Sequence, residues 1–416
     1  MTTVGLAAAE SGSNTVGECD QNAVPEWRTC VLTSPRWTIT EYRGPQGLAE
    51  LRDDWKRLFD SMPHPGRGHL YENAVAYADL FLGESDGFTY LVLGDETGVR
   101  GICPLELRTE RLFGMPVRVW GLPWNHYWGE ADLICADDEA ASEFVEAVVD
   151  HLRRSADRAG LLVLAALPEH SVALAGLQRL DRDRFCTHVM WLTDIVDCDR
   201  PAEALESSWS RNFRSNMRKA HNKLSRLGGV EFVYATTPSD LAAEFETFLH
   251  VEASGWKGAS GTGTAIALDA HKLRIYRAMV EGPGGVGLCE LNSLYAEGKC
   301  IASQLCMRAG EEYTSLKIGY DEEHAAEAPG QLLQQHLIER CCADPAIRRF
   351  DLVSHYPWHR NWRPRTIPTL QADVAVGRWT GRPLVALFRL QWSVQRLVRR
   401  LRARFGKEET RWRGPR

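Results

Sequence analysis

Apolar and polar positions alternate along the chain with two periods, and their order predicts mixed helix and strand throughout. Leu48, Leu51, Trp55, Leu58 and Phe59 recur at steps of three and four, which predicts an amphipathic helix. The runs FTYLVLGD and VRGICPLEL follow, joined by an acidic turn ending at Gly98, and predict a largely buried hairpin. An aromatic segment from Trp120 to Trp128 comes next. A helix over about Glu139–Arg158, the apolar run LLVLAAL, a short helix over Val172–Leu180 and the strand THVMWL complete the first half. The pattern breaks at DIVDCDRPAE, where charge, proline and the start of a long basic helix coincide.

Past that break the chain predicts a helix from Ala202 to about Leu227, the strand VEFVYA, and a helix over Pro238–Ser254 opened by Pro and Ser/Asp. A second hairpin, VGLCELNSLY and CIASQLCMR, turns at Glu297-Gly298-Lys299, and YTSLKIGYD follows as a third antiparallel strand. Gly98 and Gly298 hold equivalent places, and GVRGICPL echoes GKCIASQL about 200 residues on, which suggests one αβ module used twice. The expected architecture is α/β (α+β), two domains each with a mixed, mostly antiparallel sheet flanked by helices. Boundaries are placed at 1–35 (disordered tail), 36–198, 199–376 and 377–416 (basic amphipathic helix and tail).

Composition changes this picture little. At 416 residues, with 44% hydrophobic and 25% charged positions, the chain is long enough for two or three globular units and too varied for a fibrous or disordered one. Its eleven cysteines are scattered, with no C-x-x-C and no His/Cys cluster at zinc spacing, so they read as reduced buried thiols, the vicinal Cys341 and Cys342 included, and no metal is expected. The N-terminus lacks a basic region followed by an apolar run, and no apolar stretch reaches bilayer-spanning length. A cytoplasmic protein, at most peripheral at the inner face of a membrane, is expected.

Charge is distributed unevenly. The net charge is −6, yet the segment from Gly377 to Arg416 carries twelve Arg/Lys against Glu408 and Glu409. The body is therefore acidic and a poor general DNA binder, and the basic character is terminal. From Leu384 to Phe405, Leu384, Leu387, Phe388, Val394, Val398, Leu401 and Phe405 fall on one side of a helix, opposite Arg389, Arg396, Arg399, Arg400 and Arg404. That pattern suits either an anionic membrane surface or docking on the protein body.

Four constellations carry candidate chemistry. YTSLKIGYD leads through EEHAAEAPG into the helix QLLQQHLIERCC, and a strand, a loop with Pro329-Gly330 and a helix start offer free N–H groups to a pyrophosphate. Arg211, Arg214 and Arg218 share one face of the basic helix, either as an anion clamp or as a solvated face offset by carboxylates. His250, Trp256 and Lys257 end a helix before the Gly-rich loop GASGTGTAI, as a pocket lid or a helix cap. After the strand RFDLVS, the run HYPWHRNWRPR crowds His355, Tyr356, Trp358, His359, Trp362 and Arg363 behind Asp351, which suits proton transfer at a strand end. The segment WGLPWNHYWGEAD reads either as a pocket wall or as aromatic core. Walker, Rossmann and G-x-S-x-G motifs are absent, which argues against kinase, dehydrogenase and esterase chemistry.

Taken in order, SWSRNFRSNMRKAHNKL, HVEASGWKG, the hairpin, YTSLKIGYDEEHAAEAPGQLL and FDLV resemble the CelD/BcsL-type branch of the GNAT acyltransferase superfamily, over about Glu206–Trp362. The first half is similar to that family's degenerate companion domain, and tandem halves also resemble Fem-type aminoacyl transferases. The resemblance implies transfer of an acyl group, acetyl first among them, from acyl-CoA to the amine of a small molecule or amino sugar. It implies that Tyr313–Tyr320 is the splayed strand, with Lys317, Ile318, Gly319, Ala328, Pro329, Gly330, Gln331 and Leu332 holding the CoA. Tyr356 or His355 would be the acid, and Asp321, Asp351 and Glu290 are candidate bases. His250, Trp256, Lys257, Arg211, Arg214, Arg218, Glu290 and Gln304 would serve the acceptor side. The alternatives are an aminoacyl-tRNA-dependent transferase, and a non-catalytic accessory protein of exopolysaccharide or envelope assembly that docks through the C-terminal helix.

Overall fold

Strand and helix alternate as the two periods require, and the elements are those of a computed structural model that describes residues 28–32, 36–82, 87–125, 127, 129–155, 159–282, 288–377 and 380–405. The first half runs β1 (Arg28–Leu32), β2 (Thr38–Arg43), α1 (Gly44–Glu50), α2 (Arg52–Ser61), α3 (Tyr71–Tyr77), β3 (Phe88–Asp95), β4 (Gly98–Leu112), β5 (Met115–Gly121), β6 (Ile134–Cys135), α4 (Asp138–Arg154), β7 (Leu161–Leu167), α5 (Val172–Leu177) and β8 (Phe185–Asp197). The second runs α6 (Ala202–Ser208), α7 (Arg211–Leu224), β9 (Glu231–Ala235), α8 (Pro238–Ser254), α9 (Ala270–Glu281), β10 (Cys289–Ala296), β11 (Lys299–Ala309), β12 (Glu312–Tyr320), α10 (Pro329–Ala343), β13 (Arg349–Asp351), β14 (Arg365–Ala375) and α11 (Gly381–Phe405).

One mixed sheet carries them, ordered β1-β2-β3-β4-β5-β7-β14-β8-β13-β12-β11-β10-β9, with β6 on β4. The pairing repeats. β2, β3, β4 and β5 are antiparallel in turn and β5 then pairs parallel with β7, while β9, β10, β11 and β12 are antiparallel in turn and β12 pairs parallel with β13. The hairpins at Gly98 and Gly298, both at positive φ, occupy matching places in the two series. The terminal strands are exchanged: β8, from the first half, lies beside β13, and β14, from the second, lies beside β7. Strand order therefore interlocks the halves. They also share a core, in which Trp55, Tyr71 and Tyr77 join Phe245, Phe248 and Tyr276 in one apolar cluster.

Several local expectations are corrected. Residues 1–27 of the expected tail lie outside the described residues, but Arg28–Leu32 forms a strand against β2. The long basic helix is two helices, because Trp209 is buried between them and Ser210 caps α7 by accepting the Phe213 N–H. β14 is not among the predicted elements, because Pro368 interrupts its apolar pattern, yet Pro368 pairs with Leu192 within an antiparallel ladder. The single apolar side expected of α11 divides: Leu384 and Phe388, with Val385, turn to the sheet, while Leu387, Val394 and Val398 are exposed. The side chains of Arg399, Arg400, Leu401, Arg404 and Phe405 lie outside the described ones.

Candidate active site

β12 and β13 run together for only three pairs, Glu312 with Arg349, Tyr313 with Phe350 and Thr314 with Asp351. Beyond them β13 ends, and Ser315–Tyr320 has no strand neighbour on that side among the described residues. A bulge widens the gap: Leu305 faces Lys317 and Cys306 faces Ser315, so Leu316 is an extra residue that bends β12. The result is a fork in the middle of the sheet. Ile318 turns its carbonyl away from β11 to accept from Lys257 Nζ at 2.7 Å. In an extended strand the N–H and C=O of one residue share a direction, so the Ile318 N–H faces the fork as well.

One wall of the fork is the helix start predicted from Pro329-Gly330. Ala328 adopts the left-handed conformation and α10 begins with Pro329, with no side-chain cap and no acidic residue in its first turn. A Cβ on Gly330 would lie 3.4 Å from the Tyr320 ring and 3.6 Å from Ile318 Cδ1, so this helix start rests directly on the splayed strand. Gln331 and Leu332 direct their N–H groups back to Ala328 O, and Leu332 is buried. The opposite side of β12 is packed by α8. A Cβ on Gly319 would come within 2.7 Å of Glu252 Cα, a backbone approach that only glycine permits.

The other wall is the turn after β13. His355 Nδ1 lies 2.9 Å from Asp194 Oδ1, and His359 Nδ1 lies 3.0 Å from Asp194 Oδ2. Thr366 also donates to Asp194, at 2.6 Å. Burial works against ionisation of Asp194, but the Thr366, His355 and His359 hydrogen bonds prevail and hold its carboxyl below the usual range. An ionised Asp194 accepts a hydrogen bond from the Nδ1–H of His355, which leaves Nε2 as the basic nitrogen. His359 is buried, and burial lowers its affinity for a proton despite Asp194. Tyr356, which follows His355 in sequence, is 43% exposed. Asp194 is not among the predicted site residues; it reaches this turn only because β8 is exchanged.

The structure separates the predicted residues by role. Asp351 is fully buried: Arg67 Nη1 donates to one oxygen and the Val353 N–H to the other at 2.6 Å, so a base role gives way to a structural one at the root of the fork. Burial raises its carboxyl, with Arg67 opposing. Asp321 caps the 3-10 turn Glu322–Glu327 through the Glu323 N–H and pairs with Lys299 at 2.6 Å, and despite burial these partners lower its carboxyl. Glu290, two strands away on β10, accepts from Tyr313 at 2.8 Å and Arg340 at 2.9 Å. Gln304 is buried and donates to Ser315 and, at 3.2 Å, to Gln334 of α10.

Lys257 ties its loop down, donating to buried Glu252 at 3.0 Å as well as to Ile318, and burial lowers its ammonium with Glu252 opposing. Lys317, on the splayed strand, lies 5.7 Å from the Tyr276 ring centre and has no carboxylate within 4 Å among the described residues. Burial lowers its ammonium too, against Glu252 and Tyr356. His250 and Trp256 are exposed on and just beyond α8. Arg211, Arg214 and Arg218 are exposed on α7 with no carboxylate within 4 Å among the described residues, so the expected offset is not made at contact distance. Lys223 fastens α7 to the loop before α10 by donating to Ala326 O at 3.1 Å.

In WGLPWNHYWGEAD the core alternative holds for the described residues. Trp120 is buried, Trp124 stacks on Trp191 at 5.7 Å, Tyr127 meets the Tyr276 ring at 5.8 Å, and Asp132 accepts the Val172 and Ala173 N–H groups at the start of α5. His126 and Trp128 lie outside the described residues.

Residues 211–360, about a third of the chain, match the family model described as an acetyltransferase (GNAT) domain. The crystal structure of a conserved protein of unknown function from Bacteroides thetaiotaomicron superposes with a TM-score of 0.51 at 13% identity, over 79% of this chain and 97% of that one. FemX superposes with a TM-score of 0.48 at 13% identity, over 72% and 89%. A tandem GNAT protein from the clavulanic acid biosynthesis pathway gives 0.43 at 12% identity, over 82% and 99%. At 13% identity the likeness to the Bacteroides thetaiotaomicron protein is one of fold. No curated protein sequence matches the chain. The fold is thus of the GNAT acyltransferase type, with its sheet pattern present twice.

Proposed function

We propose that the chain is an acyl-CoA-dependent N-acyltransferase acting on a small amine or amino sugar. The observation that carries this reading is the fork, where a helix start with no acidic residue in its first turn rests on the β12 edge that β13 leaves open; the turn after β13, which holds the His–Asp pair, brings Tyr356 within electrostatic reach of Lys317 on that strand. These features fit the donor. The Gly330 N–H would receive its pyrophosphate at the helix start, where the Gln331 N–H is already bonded to Ala328 O, and the Ile318–Tyr320 edge would line its pantetheine arm. The thioester supplies an activated acyl carbon.

The residues of the fork then have distinct tasks. His355 Nε2 removes a proton from the acceptor ammonium, and Asp194 steadies the imidazolium that results. The Ile318 N–H meets the negative charge that develops on the acyl oxygen as nitrogen attacks. As the C–S bond breaks, the Tyr356 hydroxyl protonates the departing sulfur. A donor of aminoacyl-tRNA is the second reading, favoured by the exposed arginines of α7, which have no carboxylate within 4 Å among the described residues.

Thiol release from acetyl-CoA and a longer acyl-CoA, measured against a panel of amines and amino sugars, tests the proposal. Amine-dependent release that His355→Gln abolishes is expected. No release from either thioester, with transfer from aminoacyl-tRNA instead, would overturn it.

A further inference from the structure

The C-terminal helix is only half covered by the protein. Along its first turns Val385 and Phe388 are buried with β7 and β8 residues, Trp392 stacks on His188 at 3.7 Å, and Trp392 Nε1 donates to Asp373 at 3.2 Å. From Ser393 to Val398 every side chain except Gln395 is exposed. Leu387, Leu390, Val394, Leu397 and Val398 are 39–57% exposed, and at 100° per residue they form one stripe turned away from the docked side. Gln391, on the flank of that stripe, accepts the Phe113 N–H from the turn between β4 and β5. Phe113 and Met115 of that turn are 50% and 60% exposed, so they extend the same apolar surface.

The rest of the helix is basic. Arg389 and Arg396 are exposed on its other side, Arg389 donating to Phe185 O at 3.0 Å, while Arg111 and Arg118 are exposed on the hairpin face opposite Leu112 and Val117. From Gly381 to Phe405 the sequence holds seven arginines and no Asp or Glu. A soluble surface rarely leaves a continuous aliphatic stripe of this kind open to water. A second copy of the helix would set arginine against arginine with no acidic partner. A nucleic acid would use the arginines and leave the leucines and valines in water. An anionic bilayer satisfies both, aliphatic side chains entering the acyl boundary while arginines meet phosphate headgroups.

We propose that α11 and the β4–β5 turn dock the protein peripherally on an anionic membrane. No helix among the described residues is long and apolar enough to cross one. The proposal is independent of the chemistry at the fork.

The test is flotation of the full chain with vesicles of phosphatidylcholine, with and without a one-third share of phosphatidylglycerol. Flotation only with the anionic vesicles is expected. Leu390→Asn with Leu397→Asn should abolish it, and Arg389→Gln with Arg396→Gln should weaken binding by about tenfold or more. Unchanged thermal melts would show that both variants are folded. Failure of the wild type to float, flotation indifferent to phosphatidylglycerol, or full flotation of the leucine variant would overturn the proposal. A dimer by light scattering that the leucine variant dissolves, without flotation, would overturn it in favour of a second copy.

Discussion

Replacing Arg67 by Met tests how the two halves are held at the root of the fork. Arg67 is 1% exposed and meets three buried carboxylates: Glu312 at 2.7 Å, Glu130 at 3.2 Å and Asp351, with Thr314 Oγ1 at 3.0 Å. Burial pushes the Glu130 and Asp351 carboxyls up, and Arg67 is the principal charge opposing it. Methionine fills much of the volume but leaves the carboxylates uncompensated, and breaking a buried pair in this way costs about 3–5 kcal/mol. Glu130, pushed up to about 8 by burial, already holds its proton at pH 7 in the wild type, so the bare charge falls on the other carboxylates, and loading Asp351, of ordinary pKa 3.8, at pH 7 costs up to about 4.4 kcal/mol, at ~1.36 kcal/mol per pH unit. That carboxyl then holds its proton in the folded variant and not in the unfolded chain, so the variant's stability falls as pH rises above about 4. The defect relative to wild type should therefore shrink by about 2.7 kcal/mol for each such carboxyl between pH 7 and pH 5. Urea unfolding followed by tryptophan fluorescence at both pH values measures it. A loss below about 1 kcal/mol at pH 7, or an equal loss at pH 5, would refute the reasoning.

Three further outcomes are expected. His355→Gln should lower kcat/KM by about 10²–10⁴ while leaving acyl-CoA binding intact, and Asp194→Asn should lower it by about tenfold; wild-type turnover in either variant would remove the pair from the mechanism. Gly319→Ala places a methyl against the Glu252 backbone and should cost about 1–3 kcal/mol in a denaturant titration, whereas unchanged stability would contradict the close packing of α8 on β12. Asp373, buried beneath α11, has its carboxyl raised to about 6 by burial, from an ordinary 3.8. Wild-type stability from this group is lost as pH rises from about 4 through 6, so the stability of Asp373→Asn relative to wild type should climb across that window by up to about 3 kcal/mol; a pH-independent difference would exclude it.

Much of the site was legible because it is local. A strand, a Pro-Gly turn and a helix start are consecutive, and the His355-Tyr356 run follows its own strand directly, so composition and period mark both walls of the fork. The repeated hairpins were legible for the same reason, through matching Gly98 and Gly298 turns between apolar runs. What escaped is carried by distant pairing. Arg67 meets Asp351 across 284 positions, and Asp194 meets His355 across 161. Both contacts need the halves packed together, and the second needs β8 exchanged onto β13, which no local periodicity encodes. Asp351, Asp321 and Glu290 were credible bases by position, but sequence does not reveal the partners that occupy a carboxylate. The helical period of α11 likewise identified its apolar residues without marking which of them the sheet covers.

The central claim is that an acyl-CoA enters the fork between β12 and β13 and rests on the start of α10. Calorimetric titration of acetyl-CoA and a longer acyl-CoA into the wild type, Gly330→Ala and Gly330→Trp tests it most directly. A Cβ at Gly330 makes ordinary contact with Tyr320 and Ile318, so alanine should preserve binding, while the indole should fill the space between α10 and the splayed strand and abolish it. No binding of either thioester to the wild type, or binding that survives Gly330→Trp, would contradict the account.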